Sequence, residues 1–240
     1  MSIAVLSVAA IAVASGLIQG ITGMGAGMTM MLVLPLFFPV QVSSAISGTI
    51  CFFLTAAMAF RYRKKINYKM AILPALLFMA VSGTVIHFSV GWDSAVIKKI
   101  LGVFLIILAL YFLLIQPRAK VKPGLLLSIV FIAVSGLCDG LFSVGSPLMV
   151  LYFLSRTDDK EEYLGTIQLM FFLTLICNTA LRISHHILQA EHIPIILAGA
   201  VGIETGLTIA NRIVNRVNDR MFRNLVYVAI ALSGLNNLLS

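Results

Sequence analysis

The chain has 240 residues, 60% of them hydrophobic and 11% charged. Soluble domains run at about 45–50% apolar and about 25% charged, and Met1 to Phe60 carries no Lys, Arg, Asp, Glu or His at all. That excludes a disordered chain, a soluble enzyme and a disulfide-rich secreted module, and leaves a multi-span helical membrane protein. The net charge of +8 would suggest nucleic acid only if the basic residues formed a face on a soluble fold. Here they sit mostly in short loops between apolar runs, so nucleic acid is not an expected partner and the lipid bilayer is.

A span needs about 20 predominantly apolar residues. In chain order the candidates are 3–38 (long and interrupted), 42–60, 70–90, 96–115, 124–154 (long and interrupted), 163–184, 193–211 and 221–239. None shows the period-two alternation of a barrel strand, so the chain is expected to be all-helical. No Lys or Arg precedes the run Ile3–Ala14, so no cleavable signal peptide is expected. Cys51, Cys138 and Cys177 lie in apolar runs without a CxxC spacing and are expected to be small core residues.

Basic residues set the orientation. Loops 61–69, 116–123 and 212–223 are short and rich in Lys and Arg, and are expected on the cytoplasmic side of the cell inner membrane. Lys98 and Lys99, just after Asp93, are a minor exception. With the loop 156–162 also inside, 124–154 must enter and leave on one side, and 3–38 must do so on the other. Each is expected to be a hairpin with a long arm, a break and a short arm, the short arms being 27–38 and 147–155.

The chain also repeats itself. Residues 16–27 read GLIQGITGMGAG and residues 136–147 read GLCDGLFSVGSP, so that at an offset of 120 four positions coincide: Gly16, Leu17, Gly20 and Gly25 with Gly136, Leu137, Gly140 and Gly145. Ser47-Gly48-Thr49-Ile50 opens the following span of the first half, and Leu164-Gly165-Thr166-Ile167 that of the second. Pro74 is expected to open the next span of the first half, as Pro194 opens its counterpart. The expected organisation is a first membrane repeat at 1–116, a basic linker at 117–123 and a second repeat at 124–240. Each repeat holds a broken, re-entrant-like hairpin plus three transmembrane helices. That is an odd number of crossings, so the second repeat is inverted, a pattern that points to a secondary transporter with its site where the breaks meet.

The Gly-x-x-x-Gly-x-x-Gly-x-Gly break, its weaker second copy and the Gly-Thr after each resemble the sulfite exporter TauE/SafE family over essentially the whole chain. The resemblance implies a bacterial inner-membrane permease for sulfite, a sulfonate or another small, often sulfur-containing anion. The second copy departs from the glycine pattern: Ser143 stands in place of a glycine, and Ser146-Pro147 follows Gly145.

A helix that restarts after a break offers free N–H groups and the positive end of its dipole, an anion site without a buried cation. The substrate-binding candidates are therefore Thr22, Gly23, Met24, Gly25 and Ala26 in one break and Ser143, Val144, Gly145 and Ser146 in the other, with the Thr49 and Thr166 hydroxyls beside them. The alternative is that these glycines only permit close packing. Asp139 and Glu204 lie inside apolar runs, where a charge is costly; each is either a coupling site for a proton or cation, or a neutral carboxyl joining helices. Gln19 is the repeat counterpart of Asp139, and Gln168 and Asn178 are path-lining candidates.

Arg182 either attracts anions at an outer vestibule or snorkels to the interface. The cluster Met24, Met28, Met30 and Met31 either meets a sulfur-bearing substrate or fills the core. His185, His186 and His192 have no supporting carboxylate or cysteine spacing apart from the neighbouring Glu191, so no metal and no cofactor are expected. The chain lacks a Walker motif, an HExxH motif and a nucleophile beside a base, so it is not expected to be an enzyme. The expected function is secondary transport of a small anion by alternating access, coupled to a proton or ion gradient. An anion channel with a filter of broken helices is the alternative, and a homo-oligomer stays open.

Overall fold

A computed structural model describes residues 2–114 and 124–213. The expected linker at 117–123 and the expected last span at 221–239 lie outside the described residues. The described residues form α1 (Ser2–Thr22), α2 (Ala26–Met30), α3 (Val40–Arg61), α4 (Tyr68–Ser89), α5 (Ser94–Leu114), α6 (Leu125–Phe142), α7 (Ser146–Leu154), α8 (Lys160–Ser184) and α9 (Ile193–Ile213), with no strand among them. Among the described residues six stretches are long and apolar enough to cross a membrane: Ile3–Ile21, Val40–Arg61, Tyr68–Ser89, Leu125–Phe142, Lys160–Ser184 and Ala190–Arg212.

Local sequence explains where these helices begin. The Asn67 side chain accepts from the Met70 amide at 3.2 Å and caps α4. Asp159 accepts from the Glu161 amide at 3.0 Å and caps α8, whose first turn carries Glu161 and Glu162 beside the positive end of the dipole. Pro74 therefore lies inside α4 and does not open it, whereas Pro194 falls in the first turn of α9, where its missing N–H costs nothing. The short arms differ as well. Pro147 sits at the start of α7, which runs for 9 residues, but α2 holds only 5 and gives way to a 3-10 turn over Leu34–Leu36 around Pro35.

Contacts along the helices fix their directions. Phe52 stacks on Phe172, Gly48 meets Leu175 and Arg182, and Gly165 meets Tyr62, so α3 and α8 are antiparallel. The Asn67 amide donates to Thr166 Oγ1 at one end of α4 and α8, Ser82 Oγ to Asn178 Oδ1 midway, and His87 meets His185 at the other end, so these two are parallel. Gly136 faces Phe78 and Val81 and Gly140 faces Ser82 and Val85, which sets α6 parallel to α4. Gly202 meets Ala9, Gly206 meets Val13 and Gly20 meets Ala210, which sets α1 parallel to α9. One end of the bundle gathers Arg61, Arg63, Lys64, Lys65, Arg156 and Lys160; we call it the basic face. The other gathers the starts of α1, α3 and α9 and the ends of α4 and α8, with His185, His186 and His192.

The packing is inside out relative to a soluble protein. Leu73, Leu76, Leu125, Leu126 and Val201 are exposed, while Gln19, Gln168, Asn178, Asp139 and Arg182 are buried. Met24, Met28, Met30 and Met31 fill the core. Cys51 and Cys138 are buried as expected, but Cys177 is exposed, because α8 buries the face of Phe171, Leu175, Asn178 and Arg182 and Cys177 falls on the far side.

The tightest helix contact is α1 on α9, made by small residues as membrane helices require. A side chain on Gly206 would run into the Val13 carbonyl, and one on Gly16 into the Ile203 carbonyl. Gly206→Leu should therefore lower the melting temperature in detergent, an overpacking cost of about 1–3 kcal/mol or more. Gly91→Leu, where nothing lies within 4 Å, should leave it unchanged.

Candidate functional site

The two breaks meet. Gly27, just past the first break, abuts the backbone carbonyl of Ser143 in the second. In the first break α1 ends at Thr22, and the chain reverses through Gly23 at φ 78° and Gly25 at φ 105°, left-handed conformations that favour glycine. In the second, Ser143 takes the left-handed position at φ 54°, where its repeat counterpart is Gly23. A non-glycine residue there carries strain of about 1–3 kcal/mol, sustained only when its surroundings demand it.

Those surroundings are a buried polar network. Arg182 on α8, only 2% exposed, reaches across the bundle. Its Nη1 donates to Ser44 O at 2.7 Å and to Ser143 Oγ at 2.8 Å, and its Nη2 to Asp139 O at 3.3 Å and Gly140 O at 3.1 Å. Ser143 Oγ in turn donates to Ser44 O at 2.8 Å. The guanidinium thus ties α3 to α8 and satisfies carbonyls at the broken end of α6. Asp139, 5% exposed, accepts from Asn178 Nδ2 at 2.8 Å and packs against Gly145, and its charge is opposed by Arg182. Asn178 accepts from Ser82 Oγ at 3.0 Å, so the network reaches α4.

The first break is closed by amides. Gln19 Oε1 accepts from the Ala26 amide at 2.9 Å, Gln19 Nε2 donates to Gln168 Oε1 at 3.2 Å, and Gln168 Nε2 donates to Gly23 O at 3.3 Å. Of the amides expected to be free for an anion, that of Ala26 is therefore held by Gln19, while Asp139, 120 residues further on, lies against Gly145 in the second break. Between the two closures lies a chamber of about 40 Å³, whose polar lining is Gln19, Thr55, Asp139, Ser143 and Ser146. That is space for about one water molecule, and most of the residues around it are buried.

The remaining candidates fall elsewhere. Met24 is buried in the core, and Thr22 is the last residue of α1. Val144 faces a separate apolar cavity with Phe104 and Pro147. Thr49 Oγ1 donates to Ala45 O within its own helix, and Gly48 rather than Thr49 lines the chamber. Thr166 Oγ1 is engaged by Asn67 near the basic face. Glu204 lines an open groove between α3 and α9 with Phe53, Thr205, Thr208 and Arg212, apart from the breaks. Arg182 belongs neither to a vestibule nor to the interface. Its place beside Asn178 on one face of α8, four residues on, was the available signal for it. Among the described residues no three His, Cys, Asp or Glu groups converge on a metal position.

A helical body with leucines outside, a small polar chamber inside and, among the described residues, six helices long and apolar enough to cross a membrane is that of a multi-pass membrane protein. The chain belongs to the sulfite exporter TauE/SafE family, whose model matches residues 8–237. No curated protein and no solved structure matches it.

Asp139 and Arg182 should behave as one unit. Breaking a buried charged network from one side costs about 3–5 kcal/mol. Arg182→Met should thus destabilise strongly in a detergent melt, and the Arg182→Met/Asp139→Asn pair by clearly less than the sum of the two singles.

Proposed function

We propose that the chain is a secondary transporter that moves a small anion, sulfite or a small sulfonate, through the chamber by alternating access. The observation that carries this reading is the direct meeting of two broken helices around a buried polar chamber. Family membership supports the substrate class. The break residues Gly23, Gly25, Ala26, Ser143, Gly145 and Ser146 shape the site, with Gln19 and Gln168 on one side of it and Asp139, Asn178 and Arg182 on the other.

The two halves act as inverted repeats. Support comes from the packing partners: α1 lies parallel to α9 as α6 lies parallel to α4, while α1 and α6 run in opposite directions. The basic face is the cytoplasmic side, in keeping with the positive-inside rule. Labelling of a cysteine at position 65 from the cytoplasmic side only is the expected result for that orientation.

Charge bookkeeping suggests the coupling. Two like charges about 4 Å apart at an effective dielectric of about 20 repel by about 4 kcal/mol. An anion entering beside an ionised Asp139 meets that repulsion, and protonation of the carboxyl removes it. The anion then takes the place of the carboxylate as the countercharge of Arg182, so proton and anion move together. Asp139 lines the chamber and Glu204 does not, so the coupling role goes to Asp139.

In proteoliposomes an imposed pH gradient should accelerate sulfite uptake by the wild type. Asp139→Asn should abolish that acceleration, and Glu204→Gln should retain it. Gly25→Leu, with the protein still inserted in the membrane, should abolish uptake. Wild-type uptake by that variant would remove the site from the breaks.

A further inference from the structure

Tyr163 is one of three buried hydroxyl residues, with Ser47 and Ser135, that have no hydrogen-bond partner among the described residues. It lies in the first turn of α8 and is 4% exposed, and among the described residues its hydroxyl has no hydrogen-bond partner. A buried, unpaired hydroxyl costs about 1–3 kcal/mol, and phenylalanine would fill the same space without that cost. The ring rests on the first break: a Cβ built on Gly23 would stand 3.3 Å from both Tyr163 Cε1 and the Tyr163 hydroxyl. The carbonyl of the same glycine is held by Gln168.

The position is directional. Along α8, Tyr163, Gln168, Phe171 and Leu175 follow one another from the basic face to the chamber, and the last two line it. From Tyr163 to Phe171 is about 12 Å at about 1.5 Å per residue. Tyr163 does not line the chamber; it lies on the way from the chamber to the basic face, against the break that must move to open that way. Ser135, another buried hydroxyl without a partner among the described residues, differs in this respect: it borders the apolar cavity beside Phe104 and Val144, off the route.

We propose that the Tyr163 hydroxyl is a contact for the transported anion between the chamber and the basic face, donating a hydrogen bond to an oxyanion oxygen once the first break moves off α8. This rests on the reading of the breaks as an anion path. The ligand it selects is a small anion with exposed acceptor oxygens, and its unpaired state in the closed form is the counterpart of that transient bond.

The test is Tyr163→Phe in purified protein, with sulfite as the probe. A hydrogen bond to a charged group is worth enough to change a rate by about ten-fold or more. The expected result is a maximal sulfite transport rate lowered about ten-fold, sulfite binding to the closed state unchanged, and a melting temperature equal to or above that of the wild type. A wild-type transport rate in Tyr163→Phe, with or without a higher melting temperature, overturns the proposal and makes the hydroxyl a tolerated orphan. The path reading itself is tested separately by Gly25→Leu: uptake lost there but kept in Tyr163→Phe removes only the role of Tyr163. Uptake kept in both removes the path.

Discussion

Hydrocarbon offers no hydrogen bonds, so a helix that breaks inside a membrane must find partners for its loose ends within the protein. Two helices break here and meet, and the polar interior follows from that constraint. Gln19 and Asp139, 120 residues apart, each meet the helix that restarts: Gln19 accepts from the Ala26 amide, and Asp139 lies against Gly145. Arg182 takes the carbonyls at the end of α6, and Gln168 the carbonyl of Gly23. The chamber is the space these closures leave between them.

The two closures occupy corresponding places with different chemistry and partly different backbone, since Gly25 is left-handed at φ 105° and Gly145 is not, at φ −92°. One is an amide pair without charge; the other places a carboxylate and a guanidinium in one network. The difference extends to the backbone, where Gly23 and Ser143 take the same left-handed turn. A glycine makes that turn without strain. The serine accepts the strain because its hydroxyl bridges Arg182 and Ser44. The charged side therefore holds α3, α6 and α8 together, whereas the amide side holds the first break to α8 through two neutral hydrogen bonds of 3.2 and 3.3 Å. Neutral bonds are about half as strong as charge-assisted ones, so the break that yields with less cost is the one at Gly23, toward the basic face.

Much of this was legible in the residues. The uncharged stretch to Phe60, the breaks at Gly23–Ala26 and Ser143–Ser146 and the pairing of Gln19 with Asp139 need only composition and spacing. What one sequence hides is which side chain ends up beside which. Arg182 lies near a span end and reads as a surface residue, yet the long guanidinium arm turns inward to the second break. Thr49 and Thr166 follow glycines in the same pattern, but one turns to its own helix and the other to the Asn67 loop. Glu204 looks as isolated in its span as Asp139 does, and only the packing of α9 on α3 separates them. Helical periodicity tells which face a residue occupies, not which neighbour that face meets.

Self-closure of the breaks changes the meaning of a dipole-based anion site. Had the Ala26 amide been free and the space beside Gly145 empty, an anion would have bound to preformed donors and been held firmly. With Gln19 bonded to that amide and Asp139 packed against Gly145, an anion gains only the difference between its own bonds and those it displaces. That difference is smaller at Asp139, where the occupant is itself a carboxylate of like charge and already has Arg182 opposite. A carrier must release what it binds on the other side, and an internal competitor for the same donors keeps the bound state shallow enough for that. The carboxylate is also the one occupant that a proton can disarm, so under the proposed mechanism the competitor and the coupling group are the same residue.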